Sequence, residues 1–240
     1  IGECRTGTTT CTSGLWGGCD DEALPVTEVC GDTTDGDCDG RPDGITFLED
    51  FEDDCSVPEA TVTTDVPFDC VETPADAVDP SRTPEGDQSL RLQLAYVDRN
   101  IETIIEWQFS ACIPDANGSA TLYATTVPQG SAGLFFHPVF EGRGVQFRYT
   151  TDGAIAVAVD SEDGGSDVYV QPFTLGTNQW RTISWSFVAA GGTIAYALDG
   201  ATFFEEQITG TVDGVFLRSQ VSGANAEIDM LVDDVRFSSP

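Results

Sequence analysis

From about residue 46 onward, apolar and polar residues alternate along the chain. Leu90, Leu92, Leu94 and Tyr96 are interleaved with Arg91, Gln93 and Ala95, and the same two-residue period returns in Val145/Phe147/Tyr149, Ile155/Val157/Val159, Ile183/Trp185/Phe187 and Ile194/Tyr196/Leu198. A period of two puts one set of side chains on a core and the other toward water, so each run predicts a half-buried strand. Turn signals fall between the runs: Asp152-Gly153, Gly191-Gly192 and Asp199-Gly200. Nowhere do apolar residues recur at helical spacing for three turns. About a dozen strands with such turns and no helix predict an all-β chain folded as a β-sandwich or jelly roll. The stretch 56–87, rich in Pro, Thr and Asp, reads as a long surface excursion anchored by Cys70.

The first 46 residues differ. They hold Cys, Thr, Gly and Asp with a single Trp16 and almost no apolar periodicity, the composition of a small scaffold stapled by covalent or metal links. The predicted division is therefore a Cys-rich segment at 1–46 and a β-sandwich at 47–240. Cys4, Cys11, Cys19, Cys30 and Cys38 crowd the first forty residues, an odd number, so one must reach outward, with Cys55 the nearest candidate; Cys70 and Cys112 would then pair with each other. Eight cysteines allow 105 connectivities. None lies in a C-x-x-C pair, which argues against a zinc knuckle. This cysteine usage predicts an oxidising, extracellular compartment. The chain opens on Ile1-Gly2-Glu3-Cys4 without a basic and apolar leader, which reads as a mature, processed start, and no transmembrane run is present.

Within that segment residues 35–43 read DGDCDGRPD. Asp35, Asp37 and Asp39 alternate, Gly40 follows at the sixth place of the loop, Arg41 supplies a carbonyl oxygen at the seventh, and Asp43 stands at the ninth. That order presents oxygens to Ca²⁺, which takes six to eight of them. The twelfth place holds Thr46 instead of a bidentate Glu, so the last oxygens would come from Asp32, Glu49 or water. The plain alternative is an acidic solvated turn. Acidity is general here: 41 Asp and Glu stand against 10 Arg, with no lysine, for a formal net charge of −31. Such a chain repels nucleic acid and anionic membranes and attracts cations.

Two resemblances are carried by particular residues. GECRTGTTTCTSGLWGGCDDEALPVTEVCGDTTDGDCDGRPD, from Gly2 to Asp43, resembles the Cys-rich metal-binding repeat of secreted myxobacterial and related surface proteins; it departs at Gly31-Asp32, where the repeat has Asp-Gly, and by an extra residue near Thr33-Thr34. FLEDFED at 47–53, NQWRTISWSF at 178–187, GGTIAYALDG at 191–200 and IDMLVDDVRF at 228–237 resemble a concanavalin A-like or laminin G-like jelly roll, and more loosely the jelly-roll carbohydrate-binding modules. The second resemblance implies a structural Ca²⁺ between first and last strands, with Asp50, Glu52 and Asp234 as ligands. Acids crowded on two paired strands would repel unless a cation sat between them.

Catalytic sets are incomplete. Glu227 and Asp229 fit the first two places of the E-x-D-x-E pattern of jelly-roll glycanases, but Leu231 or Val232 stands where the second Glu is needed to complete the carboxylate pair. Polysaccharide lyases of this fold use basic clusters that a lysine-free chain supplies poorly. The one histidine, His137 in LFFHPVF, reads as a strand residue rather than a general base. For carbohydrate binding the candidates are Trp180, on the strand face of Thr182, Ser184 and Ser186, and Tyr123 between Thr121 and Thr125; the plainer reading of Trp180 is that it caps the sandwich at a strand start. Asn117-Gly118-Ser119 is a glycosylation sequon. Three functions compete. One is a secreted, non-catalytic, Ca²⁺- and disulfide-stabilised surface or matrix protein that binds glycan or mediates adhesion. The others are a subunit assembling with neighbouring copies into a filament or coat, and a glycan-active hydrolase.

Overall fold

A computed structural model describes residues 7–8, 11–12, 15–16 and, apart from short gaps at 53–56, 58–59, 67–68, 85, 87, 97, 114, 141–144, 151–152 and 161–165, residues 46–239. Two short strands, β1 (Cys11–Thr12) and β2 (Leu15–Trp16), pair with each other. The remaining strands are β3 (Thr46–Glu49), β4 (Thr61–Thr64), β5 (Asp69–Glu72), β6 (Gln88–Ala95), β7 (Ile101–Ile113), β8 (Asp115–Ala124), β9 (Gln129–Phe140), β10 (Val145–Thr150), β11 (Ala154–Asp160), β12 (Ser166–Thr174), β13 (Trp180–Val188), β14 (Thr193–Leu198), β15 (Ala201–Gln207) and β16 (Val212–Ser238). Among the described residues the only helix is a single 3₁₀ turn, Pro80–Arg82, and none is long and apolar enough to cross a membrane.

The last strand joins two layers. Its first half pairs β9 on one side and β7 on the other, and its second half pairs β8 on one side and β6, then β3, on the other. At 27 residues it is several times the usual strand length. It passes from one sheet to the other at Gly223–Asn225, where Gly223 (φ 84°) and Asn225 (φ 64°) take the left-handed conformation and the register against β9 slips. Sheet I therefore runs β12-β11-β10-β9-β16-β7-β4, and sheet II runs β15-β14-β13-β8-β16 with β6-β5 and β3 beyond it. All of the pairings are antiparallel.

The two-residue period lands as the sequence predicts. Burial alternates strictly along β10 and β14, and Phe136, Phe147, Tyr149 and Leu217 of sheet I meet Trp185, Tyr196, Met230 and Phe237 of sheet II in one core, each at most 2% exposed. Fully burying side chains of this size stabilises by about 1.5–3 kcal/mol apiece. Tyr196 also spans the layers, donating its hydroxyl to the Val145 carbonyl at 2.7 Å; burial pushes that phenol well above its ordinary pKa. Asp199-Gly200 closes the β14–β15 hairpin as a two-residue turn with φ of 49° and 79°, the type I′ geometry for which Asp-Gly is selected. Gly118 is required by packing: a Cβ there would come within 2.4–2.6 Å of the Trp185 indole.

The stretch 56–87 is more than a surface excursion. It supplies β4, which edges sheet I against β7, and β5, which edges sheet II against β6; residues 74–84 lie across the outer face of sheet II. Cys70 on β5 is disulfide-bonded, with its Sγ 3.7 Å from the Phe51 carbonyl oxygen. The side chains of Cys4, Cys11, Cys19, Cys30, Cys38, Cys55 and Cys112 lie outside the described residues.

Candidate functional site

The outer face of sheet II is built from the polar half of each alternating strand. Trp180 of β13 stands opposite Tyr123 of β8, which stands opposite Leu231 of β16. These are the face and the neighbours expected of a stacking platform, and the two rings meet at 5.1 Å. Neither is open to a ligand. Trp180 is 0% and Tyr123 7% exposed, because the chain after β5 folds over them: the Trp180 indole N–H donates to the Pro74 carbonyl at 2.8 Å, and its backbone N–H donates to Asp76 Oδ2 at 2.6 Å. Asp76, itself 2% exposed, also accepts the N–H groups of Val78 and Asp79, both at 2.7 Å. Burial raises its pKa, but these three N–H groups together with Arg82 outweigh burial and hold it below the ordinary range. The two aromatics therefore pin the covering segment, which corrects their reading as a sugar platform.

Beyond that cover the face opens. A groove of about 570 Å³ lies between Arg82 of the 3₁₀ turn and Thr121, Thr182, Asp199 and Arg236 of the sheet. It adjoins a second groove of about 510 Å³ that shares Arg236. The floor of the second is two cross-strand rows. One is Thr202–Ala197–Ser184–Ser119–Arg236–Leu48, and its neighbour runs Ala195–Ser186–Asn117–Ser238. Small side chains keep the floor low, while Leu48, 53% exposed, and Arg236 stand at its border. Asn117 of the sequon projects from this floor. Arg236 pairs with Asp234 at 3.0 Å, and Asp199 gathers Arg181 at 2.6 Å and Arg82 at 3.5 Å. The result is an open trough of hydroxyl, amide and guanidinium groups over small apolar patches, a surface that can hydrogen-bond a hydroxylated ligand along its length. Ser184 and Ser186 were legible as members of this face; its continuation onto β14, β15 and β3 required the register.

The acids at the strand ends converge differently from expectation. Glu49 pairs with Val235, so Asp50 falls beside Asp234 at the end of that ladder. Asp50 accepts the Glu52 N–H at 3.3 Å, Glu52 accepts the Gln88 N–H at 3.0 Å, and Asp234 is held by Arg236. Among the described residues no three His, Cys, Asp or Glu side chains lie close enough to hold a metal, so Asp50, Glu52 and Asp234 do not form a site by themselves. The acid at the centre is Asp233, which the sequence did not single out. It is wholly buried, accepts Ser89 Oγ at 2.9 Å and the Asp234 N–H at 2.8 Å, and is pushed up to a pKa of about 7 by burial, with the charges of Asp234 and Glu52 adding to it against those two hydrogen bonds. The loop residues Asp35, Asp37, Asp39, Arg41 and Asp43 lie outside the described residues.

The glycanase-like carboxylates are disposed against that chemistry. Arg91 grips Asp229 with two bonds, Nε to Oδ1 at 2.9 Å and Nη2 to Oδ2 at 2.7 Å. Leu231, at the place of the missing Glu, packs with Trp180 and Tyr123. His137 sits on sheet I with its ring 4.8 Å from Phe216 and Nδ1 3.0 Å from the Pro138 carbonyl. Burial lowers its pKa to about 4, so it is neutral at pH 7.

No protein-family model and no curated protein matches the chain. Solved structures do. The cellulose induced protein Cip1 superposes with a TM-score of 0.59 at 12% identity, over 81% of this chain and 97% of that one. A peanut lectin solved with a nine-residue peptide superposes with a TM-score of 0.51 at 11% identity, over 82% of this chain and 97% of the lectin. A sialidase gives 0.57 at 12% identity over 81% of this chain, which spans only 18% of the sialidase's length. At such identities the likeness is one of fold, and by fold this chain is a concanavalin A-like jelly-roll β-sandwich.

Proposed function

We propose that this protein is a secreted, non-catalytic glycan-binding domain whose saccharide lies along the paired grooves on the outer face of sheet II. The observation that carries the reading is the junction at Arg236 of two open grooves, about 510 and 570 Å³, lined by Ser, Thr, Asn and Arg. Neutral saccharides are held by many hydroxyl and amide contacts along a shallow trough, with guanidinium groups as fixed donors. The lectin among its structural neighbours makes the same ligand class reasonable for this fold. A non-catalytic role agrees with Asp229 being engaged by Arg91 and with Leu231 occupying the position of the absent acid. Ca²⁺ held by Asp35, Asp37, Asp39, Asp43 and the Arg41 carbonyl is part of the proposal, as the fastener of the N-terminal segment.

The test is titration calorimetry of the full chain against a panel of neutral oligosaccharides, beside Ser184→Trp. An outward indole at the middle of β13 fills the groove floor while leaving the core untouched, so stability should stay within about 1 kcal/mol of the parent. Binding in the parent that is lost in Ser184→Trp supports the reading. Equal affinity in both proteins, or no binding to any member of the panel, refutes it. Release of reducing ends from the bound saccharide would show an enzyme instead.

A further inference from the structure

The opposite face of the sandwich holds the least expected side chain in the molecule. Six of the seven arginines whose side chains are described form ion pairs: Arg82, Arg91, Arg99, Arg181, Arg218 and Arg236. Arg148 forms none among the described residues, in a chain with 41 carboxylates to choose from. It sits near the middle of sheet I with Phe135 directly across the strand pair and Arg218 on the far side of the same phenyl ring. The two guanidinium carbons lie 5.5 and 5.7 Å from the ring centroid, so Phe135 is flanked by positive charge on both sides. Arg148 gives one Nη2 hydrogen bond to Gln146 Oε1 at 3.1 Å, and its Nε and that of Arg218 are buried donors without an acceptor. A guanidinium cannot shed its charge, so leaving its buried Nε–H unmet is costly.

We propose that Arg148, with Phe135 and Arg218, forms a second binding site, for the negatively charged substituent of an acidic saccharide. Carboxylate and sulfate groups match the guanidinium fork with two parallel hydrogen bonds. Phe135 and the neighbouring His137–Phe216 ring pair, one cross-strand row away, offer an apolar surface for the C–H face of the sugar ring carrying that group. Desolvation, with the charge of Arg218, lowers the Arg148 pKa against the opposing charge of Asp160, so the cation sits beside an apolar surface with Asp160 as a competitor for the site. Glu102 occupies part of Arg218 at 2.6 Å, so Arg148 is the primary contact and Glu102 a second competitor. The net charge of −31 opposes polyanions and favours a short saccharide with few charges. This site is on the sheet opposite the grooves and stands whether or not they bind.

The test measures binding of the full chain, at low salt, to three short oligosaccharides: one carrying uronic acid, one carrying sulfate, and the carboxyl-reduced neutral form of the first. Arg148→Gln should weaken the charged ligand about tenfold or more, Arg148→Lys should weaken it less, and Glu102→Gln should tighten it several-fold by freeing Arg218. Ser184→Trp should leave it unchanged. Because Glu102→Gln is a gain, a poorly folded Arg148 variant cannot mimic the full pattern. Arg148-dependent binding of either charged ligand supports the site and identifies its anion. Equal binding of the neutral form, no binding of either charged form, or full affinity in Arg148→Gln overturns it.

Discussion

Replacing Asp233 by Asn should make the protein more stable in alkali while leaving it little changed in acid. The carboxyl is wholly buried between β6 and β8, and burial, with Asp234 and Glu52 adding to it, lifts its pKa from 3.8 to about 7. The folded state therefore keeps a proton that the unfolded chain releases near pH 4. With more protons bound in the folded state, stability falls as pH rises across the window from about 4 to about 7. A gap of about three pH units at about 1.4 kcal/mol each sets a ceiling of about 4 kcal/mol, and relaxation of the site lowers it to about 2–4 kcal/mol. Asparagine is nearly isosteric and uncharged. Its carbonyl oxygen can accept the Asp234 N–H, and its amide can donate to Ser89 Oγ, leaving that hydroxyl free to donate to Thr73 Oγ1 at 2.7 Å. The assay is denaturant unfolding of parent and Asp233→Asn at pH 5 and pH 8.5 in chelator. General self-repulsion of so acidic a chain also grows with pH, so the readout is the difference between the two proteins. The variant should match the parent within about 1 kcal/mol at pH 5 and exceed it by about 2–4 kcal/mol at pH 8.5. Parallel loss of stability in both would mean that Asp233 is ionised throughout, and the account of its burial would be wrong.

Two further outcomes follow from the cover over sheet II and from the N-terminal loop. Asp76→Ala removes the acceptor of three N–H groups, including that of Trp180, and should cost about 2–4 kcal/mol with a red shift of tryptophan emission as the covering segment lifts; unshifted emission would refute the pinning role. Since the Asp76 pKa is lowered in the folded state, its contribution is present above the ordinary carboxylate range and is lost as pH falls below it. Chelation should lower the melting temperature of the parent, because an ion bound only to the folded state stabilises it by RT ln(1 + [L]/Kd). It should have little effect on Asp37→Ala, and an equal chelator response in both proteins would remove that loop from the account.

The period of two along Val145–Tyr149 and Ile194–Leu198 was enough to assign strands, their buried faces and a sandwich, because alternation is a property of a few consecutive residues and of the pleat alone. Asp199-Gly200 likewise announced its turn, since two left-handed residues in succession suit few other pairs. Trp180 was placed on the outward face by the same logic. Its burial was not legible, because the segment that covers it arrives from about a hundred residues earlier and is held by Asp76, an acid indistinguishable in sequence from forty others.

The proposed binding surfaces were no more legible. The groove floor is a set of small residues from β3, β8, β13, β14, β15 and β16 that share a row only through the register, and a shift of one residue in any strand would turn its contribution into the core. Asp233 owes its raised pKa first to burial, with the charges of Asp234 and of Glu52, some 180 residues away in the chain, adding to it, and Arg148 forms no ion pair among the described residues for reasons no local window contains. Charge composition gives the number of acids and bases, whereas which of them meet is decided by how two sheets fold around one long strand.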